Sequence, residues 1–148
     1  LGMALDVLGT DPDGRLYHEV RERRGLSYDL WADLQSGAGW GVLMVGAVAD
    51  RRAENRLRNA VEDVFREAVE KGFGDDEIAR ARRKLAYRYA RLAEARLDRA
   101  TIHAGAALYG STSLAEAERL VRTLERTDIE DAWRRAMKGP RLTGVLTG

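Results

Sequence analysis

The chain contains no cysteine and only two histidines, His18 and His103, among its 148 residues. The missing cysteines exclude disulfide staples, thiolate metal sites and a cysteine nucleophile. They do not fix the compartment, for which cytoplasm is only the default expectation. A zinc site takes three or four ligands, mostly His and Cys, so the residue inventory speaks against a metal bound by this chain. Neither His-Glu-x-x-His nor His-x-x-Glu-His can be written anywhere in it. Charge of one sign is also lacking. Lys and Arg number 25 against 24 Asp and Glu, a net charge of +1, which creates no field for collecting polyanions, and no nucleic-acid partner is expected. The many arginines are interleaved with Glu and Asp and read as solvated helix faces. No apolar run approaches the roughly 20 residues of a membrane helix. The longest, Gly39 to Ala49, carries Trp40 and glycines and predicts a buried strand. No transmembrane segment and no membrane partner are expected.

What is present describes a globular protein with an ionised surface, at 45% hydrophobic and 33% charged residues. The length fits one domain over residues 1–148. Its start, apolar from Leu1 to Leu8 with no initiator Met and no basic leader, reads as the inside of a larger protein. That apolar segment predicts a helix end, and Gly9-Thr10-Asp11-Pro12-Asp13-Gly14 predicts a loop. Leu16 and Val20 recur one turn apart, so Arg15 to Arg24 reads as a short amphipathic helix stopped by Gly25. Two-residue alternation through Tyr28, Leu30, Ala32 and Leu34, a turn at Ser36-Gly37-Ala38-Gly39 and the run from Trp40 predict a β-hairpin. Leu57, Val61, Val64, Phe65 and Ala68 mark a helix to Lys71. Asp75 or Asp76 then caps a long helix toward Leu108, with a kink expected near Gly105. Ser113 caps Leu114 to Leu124, Thr127-Asp128-Ile129-Glu130 opens a last helix that Gly139-Pro140 ends, and Leu142 to Leu146 reads as a terminal strand. The expected class is α+β, an antiparallel-rich sheet packed against several helices. Three strands are few for so many helices, which suggests strands missing upstream of Leu1.

Most candidate chemistry reduces to structure. His103, amid Ile102, Ala104 and Ala106, reads as a hydrogen-bonded packing histidine. Ser27, Ser36, Ser111 and Ser113 occupy strand starts, turns or caps, and none lies in a Gly-x-Ser-x-Gly elbow. Gly37 and Gly39 precede a strand rather than a helix, so they are turn glycines and not a phosphate cradle. Carboxylates are plentiful, but none is set apart from the ion-pair pattern.

The exception is a block spanning a helix and a strand. Arg15-Leu16-Tyr17 is followed by Arg21, three charged residues, then Gly25-Leu26-Ser27-Tyr28. This resembles the second-half signature of the insulinase/pitrilysin-type zinc metallopeptidases, the inverzincins, in which the arginine and the last tyrosine are functional. Gly14 stands where the family has a small hydroxyl residue, and the preceding glycine-rich loop departs as well. Gly74-Asp75-Asp76-Glu77-Ile78 and Thr127-Asp128-Ile129-Glu130 match later, less specific family positions.

The resemblance implies one half of a clam-shell peptidase: the C-terminal type of domain, which binds no zinc, incomplete here at its amino end. In such enzymes a second half, in cis or in trans, carries zinc, and zinc-bound water attacks a peptide carbonyl enclosed between the halves. Tyr28 would donate a hydrogen bond to the developing oxyanion. Arg21 would hold a substrate carbonyl or the tyrosine itself. The implied substrate is a peptide or unfolded polypeptide, and this chain alone should hydrolyse nothing. Two alternatives stand beside this: a non-catalytic scaffold or core subunit of the same fold that binds protein partners, and an unrelated α+β interaction domain. A sheet lacking its first strands also exposes an edge that invites a homodimer.

Overall fold

The computed structural model describes residues 1–37, 40–110 and 112–145. Helix α1, Gly2–Leu8, leads through the glycine loop into a helical segment whose π-helical part is Tyr17–Arg23. Strands β1, Asp29–Gly37, and β2, Trp40–Val48, follow. A short 3₁₀ turn, Arg51–Ala53, leads into α2, Glu54–Lys71, and then come α3, Asp75–Glu94, and α4, Arg96–Tyr109. Helices α5, Leu114–Thr123, and α6, Arg126–Ala136, complete the order. The α+β class expected from the sequence is the one observed.

β1 and β2 pair antiparallel from Asp29 opposite Val48 to Gly37 opposite Trp40. Side chains alternate across the ladder, so Leu30, Ala32, Leu43 and Val45 face the helices and pack against the core. That core is built by one stripe from each of several helices. Val7 and Leu8 of α1, Val64 and Ala68 of α2, Ile78 and Leu85 of α3, Val121 of α5 and Ile129 and Trp133 of α6 are all buried. Trp133 is fully enclosed. Its ring meets Phe65 edge-on at 5.1 Å, and its indole N–H donates to the Phe65 carbonyl at 3.4 Å, which ties α6 to α2. A smaller cluster of Val20, Leu26, Ala53 and Ala60 fastens the π-helical segment to α2.

Several sequence expectations need correction. The strand beginning at Trp40 is not buried: Trp40, Val42 and Val48 lie on the face opposite the helices and are exposed, as is Trp31 on β1. The strand is apolar on both faces, and only one face meets a helix. Ser36 and Gly37 belong to β1 rather than to the turn, and Ala38 and Gly39 lie outside the described residues. The long helix is interrupted at Ala95, whose ψ of 115° is extended, and not near Gly105. Gly74, not Asp75 or Asp76, is the N-cap of α3. Having no side chain to accept with, it relies on the Glu77 carboxylate, which takes its N–H at 2.7 Å. The last helix starts at Arg126, because the Asp128 carboxylate accepts the Glu125 N–H at 2.9 Å and moves the cap ahead of Thr127. That helix ends at Ala136. Residues 142–145 form no strand, since no neighbouring strand among the described residues takes up their backbone groups, and Leu142 is almost fully exposed. Leu146 lies outside the described residues. His103 does not pack: it sits on an exposed face of α4, a helix with no buried side chain among those described.

Candidate functional site

The segment from Arg15 to Arg24 is helical, but most of it is wider than an α-helix. The Arg24 N–H reaches back five residues to the Glu19 carbonyl at 3.2 Å, and the Leu26 N–H reaches six, to Val20 at 2.8 Å. The side chains follow this widening. Glu19 accepts from Arg23 at 2.9 Å and from Arg24 at 2.6 Å, and Arg24 also reaches Asp63 of α2 at 3.1 Å. Such π-helical turns are rare and are frequently found at functional sites. Gly25 ends the helix at φ 58°, the left-handed conformation that glycine adopts without steric cost. The chain can then turn so that Leu26 and Ser27 are buried while Tyr28 emerges. The Ser27 hydroxyl lies 2.8 Å from the Asp29 carbonyl and 2.6 Å from that of Val48. It locks the start of β1 to the end of β2, the structural role its position suggested.

Arg21 and Tyr28 come together. The Arg21 guanidinium carbon lies 5.6 Å from the centre of the Tyr28 ring and 5.1 Å from that of Tyr17. Its Nη1 is 3.5 Å from the Tyr28 carbonyl. That hydrogen bond is long, so stacking between two aromatic rings does more to orient the group than the bond does. Guanidinium has five N–H donors, and among the described residues Arg21 commits only this one. Tyr28 is 77% exposed, which leaves its hydroxyl open to a ligand. The site therefore offers an oriented fork of donors beside a phenolic hydroxyl, suited to carbonyl or carboxylate oxygens.

Arg15, which the sequence offered only as a motif letter, ties the motif helix to the start of α3. It donates to both Glu77 oxygens, Nε to Oε1 at 2.7 Å and Nη2 to Oε2 at 2.6 Å, and Nη2 also reaches the Gly72 carbonyl at 2.9 Å. Its guanidinium stacks 5.4 Å from the Phe73 ring. Burial pushes the Glu77 carboxyl up, but the hydrogen bonds from Arg15 and the Gly74 N–H outweigh it and hold the group below its ordinary range. The departure at Gly14 has a packing reason as well. A Cβ there would stand 2.0 Å from the Gly9 carbonyl oxygen, so the loop closes on itself only with glycine.

No group of three or more His, Cys, Asp or Glu side chains among the described residues could hold a metal ion. His18 is exposed and engaged with Glu22 one turn on. The residues of this chain do not fit a zinc centre. No helix is long and apolar enough to cross a membrane, among the described residues. Clefts of about 370 Å³, between α1 and α3, and about 450 Å³, between α1, α3, α5 and α6, are lined without Arg21 or Tyr28, and both of these residues are exposed.

Comparison with solved structures defines the class. A peptidase M16 inactive domain from Pseudomonas fluorescens superposes with a TM-score of 0.78 at 23% identity, over 90% of this chain and 32% of that one. The structure described as the inactive peptidase domain of a putative zinc protease from Bordetella parapertussis gives 0.78 at 19% identity, over 90% of this chain and 74% of that one. The fold is thus the one these inactive domains share. Residues 1–85 match the family model of the peptidase M16 inactive domain, and the chain belongs to that family. It is also 32% identical over 81 residues to an uncharacterized zinc protease of Streptomyces coelicolor, a match covering 55% of this chain and 18% of the relative. The chain therefore spans only about a fifth of that relative's length. Family membership excludes the reading as an unrelated interaction domain.

Proposed function

We propose that this chain is the substrate-gripping half of a zinc metalloendopeptidase, acting with a separate zinc-bearing half in the same or another polypeptide. The observation that carries the reading is the stacking of Arg21 on Tyr17 and Tyr28, with four guanidinium donors and an exposed phenol left uncommitted among the described residues. An open surface of this kind becomes a chamber only when a second body faces it. The likeness to a zinc protease, and a set of described residues that holds no group able to bind a metal, support zinc as what that body supplies.

In the closed assembly the Tyr28 hydroxyl donates to the carbonyl oxygen of the scissile peptide. As that oxygen gains charge the hydrogen bond strengthens, so it lowers the barrier rather than merely tightening binding. Arg21, already oriented by its aromatic neighbours, takes an adjacent backbone carbonyl and fixes the substrate's register. Both roles use donors only, and neither requires this chain to move a proton.

The test is hydrolysis of an unstructured reporter peptide. This chain with added zinc should cleave nothing, and adding the zinc-bearing half should produce cleavage well above that half alone. A zinc-bearing half that cleaves equally fast without this chain would overturn the assignment and leave a scaffold of the same fold.

A further inference from the structure

We infer that Tyr17 is a positioning residue of this site, the group that holds Arg21 in line with Tyr28; the inference rests on the clamp reading above. Tyr17 opens the π-helical segment, one turn before Arg21, and is itself half-buried. Its ring is the nearer of the two that stack on the guanidinium, at 5.1 Å against 5.6 Å for Tyr28.

The geometry gives Tyr17 a task that Tyr28 cannot perform alone. Tyr28 is 77% exposed and stands where a substrate would engage it, so its ring is a poor fixed wall. Arg21 has a single long hydrogen bond at 3.5 Å, and no acidic partner within ion-pair distance among the described residues. An arginine so loosely tethered would spread over many rotamers and lose that freedom on binding. Tyr17, on the same helix and tied through its backbone N–H to the Gly9 carbonyl at 3.3 Å, supplies the fixed wall. Stacking leaves the edge of the guanidinium, where its donors lie, free for substrate. A carboxylate in the same position would hold Arg21 as firmly but would consume those donors and cancel the charge. Only the aromatic face of Tyr17 is needed, and its hydroxyl has no part.

The first readout is the Arg21 side chain by NMR in the unaltered chain. NOEs from the Tyr17 ring protons to Arg21 Hδ and an Nε–Hε proton shifted upfield by ring current are expected. Their absence would overturn the inference without use of any variant. Tyr17→Leu should move that resonance toward its random-coil position, and Tyr17→Phe should leave it in place. In the assembled peptidase, Tyr17→Leu should lower kcat/KM about two- to fivefold, the scale of one exposed cation–π contact. Tyr17→Phe should not lower it, and Tyr17→Leu should have no further effect in an Arg21→Ala background. An equal loss in Tyr17→Phe, or an undiminished loss with Arg21 absent, would assign Tyr17 a merely structural role. Failure of the clamp reading is separately visible: Tyr28→Phe would then leave turnover unchanged while the Tyr17–Arg21 NOEs persist.

Discussion

Replacing Tyr28 by phenylalanine should lower kcat of the assembled peptidase about 10²- to 10³-fold, the usual cost of removing one oxyanion donor. Stability of this chain should hardly change, because the hydroxyl makes no hydrogen bond among the described residues and the side chain is 77% exposed. The ring that flanks Arg21 is kept, so substrate positioning survives and KM should move much less than kcat. This split matters for interpretation. A loss confined to KM would mean that Tyr28 binds ground state and transition state equally, and the oxyanion role would be wrong. Steady-state kinetics on a single reporter peptide separates the two outcomes.

The second large effect should fall on stability. Arg15→Met removes a bidentate pair whose side chains are each 22% exposed, and leaves the Glu77 carboxylate with the Gly74 N–H alone and the Gly72 carbonyl without its Arg15 donor. A loss of about 1–3 kcal/mol is expected, read as a lower urea midpoint at unchanged slope. Acid should shrink the difference. Glu77 titrates below its ordinary range in the folded chain, so its contribution is complete above the unfolded value of about 4.3. It disappears as pH falls through the lower folded-state value. The wild type should therefore lose stability in that window, while Arg15→Met should show a flatter profile. Equal acid sensitivity in the two proteins would show that the pair does not couple the motif helix to the start of α3.

The sequence told two different amounts about site and fold. Arg21 and Tyr28 were singled out by the family resemblance of the letters around them, and the structure gives a local cause for their coming together. Gly25 must turn left-handed to end the helix, Leu26 must be buried, and Ser27 must lock the strands, so Tyr28 emerges beside Arg21. Tyr17 lies four residues before Arg21, and residues four apart on a helix are neighbours. Arg15 and Glu77 could not have been joined from one sequence, being 62 positions apart with nothing local to relate them. The π-helical turn was equally hidden. Over two turns, Leu16 and Val20 fit a 3.6-residue period and a wider one equally well. The terminal strand failed for a different reason. Leu142 to Leu146 has strand-like letters, but a strand exists only beside another, and no sequence window contains its neighbour. The same reasoning applies to Trp40: alternation decides which side chains share a face, and packing decides which face is covered. The break at Ala95 has no special residue to announce it.

The proposed function depends on Arg21 and Tyr28 acting on substrate. The most direct measurement is kcat/KM of the assembled peptidase for wild type, Arg21→Ala and Tyr28→Phe, with each variant shown to fold and to bind the zinc-bearing half. Both substitutions should depress the rate by at least about tenfold, the scale of a lost hydrogen bond to a charged group. Unchanged rates in both would contradict the clamp and leave the chain as a scaffold for the half that bears the zinc.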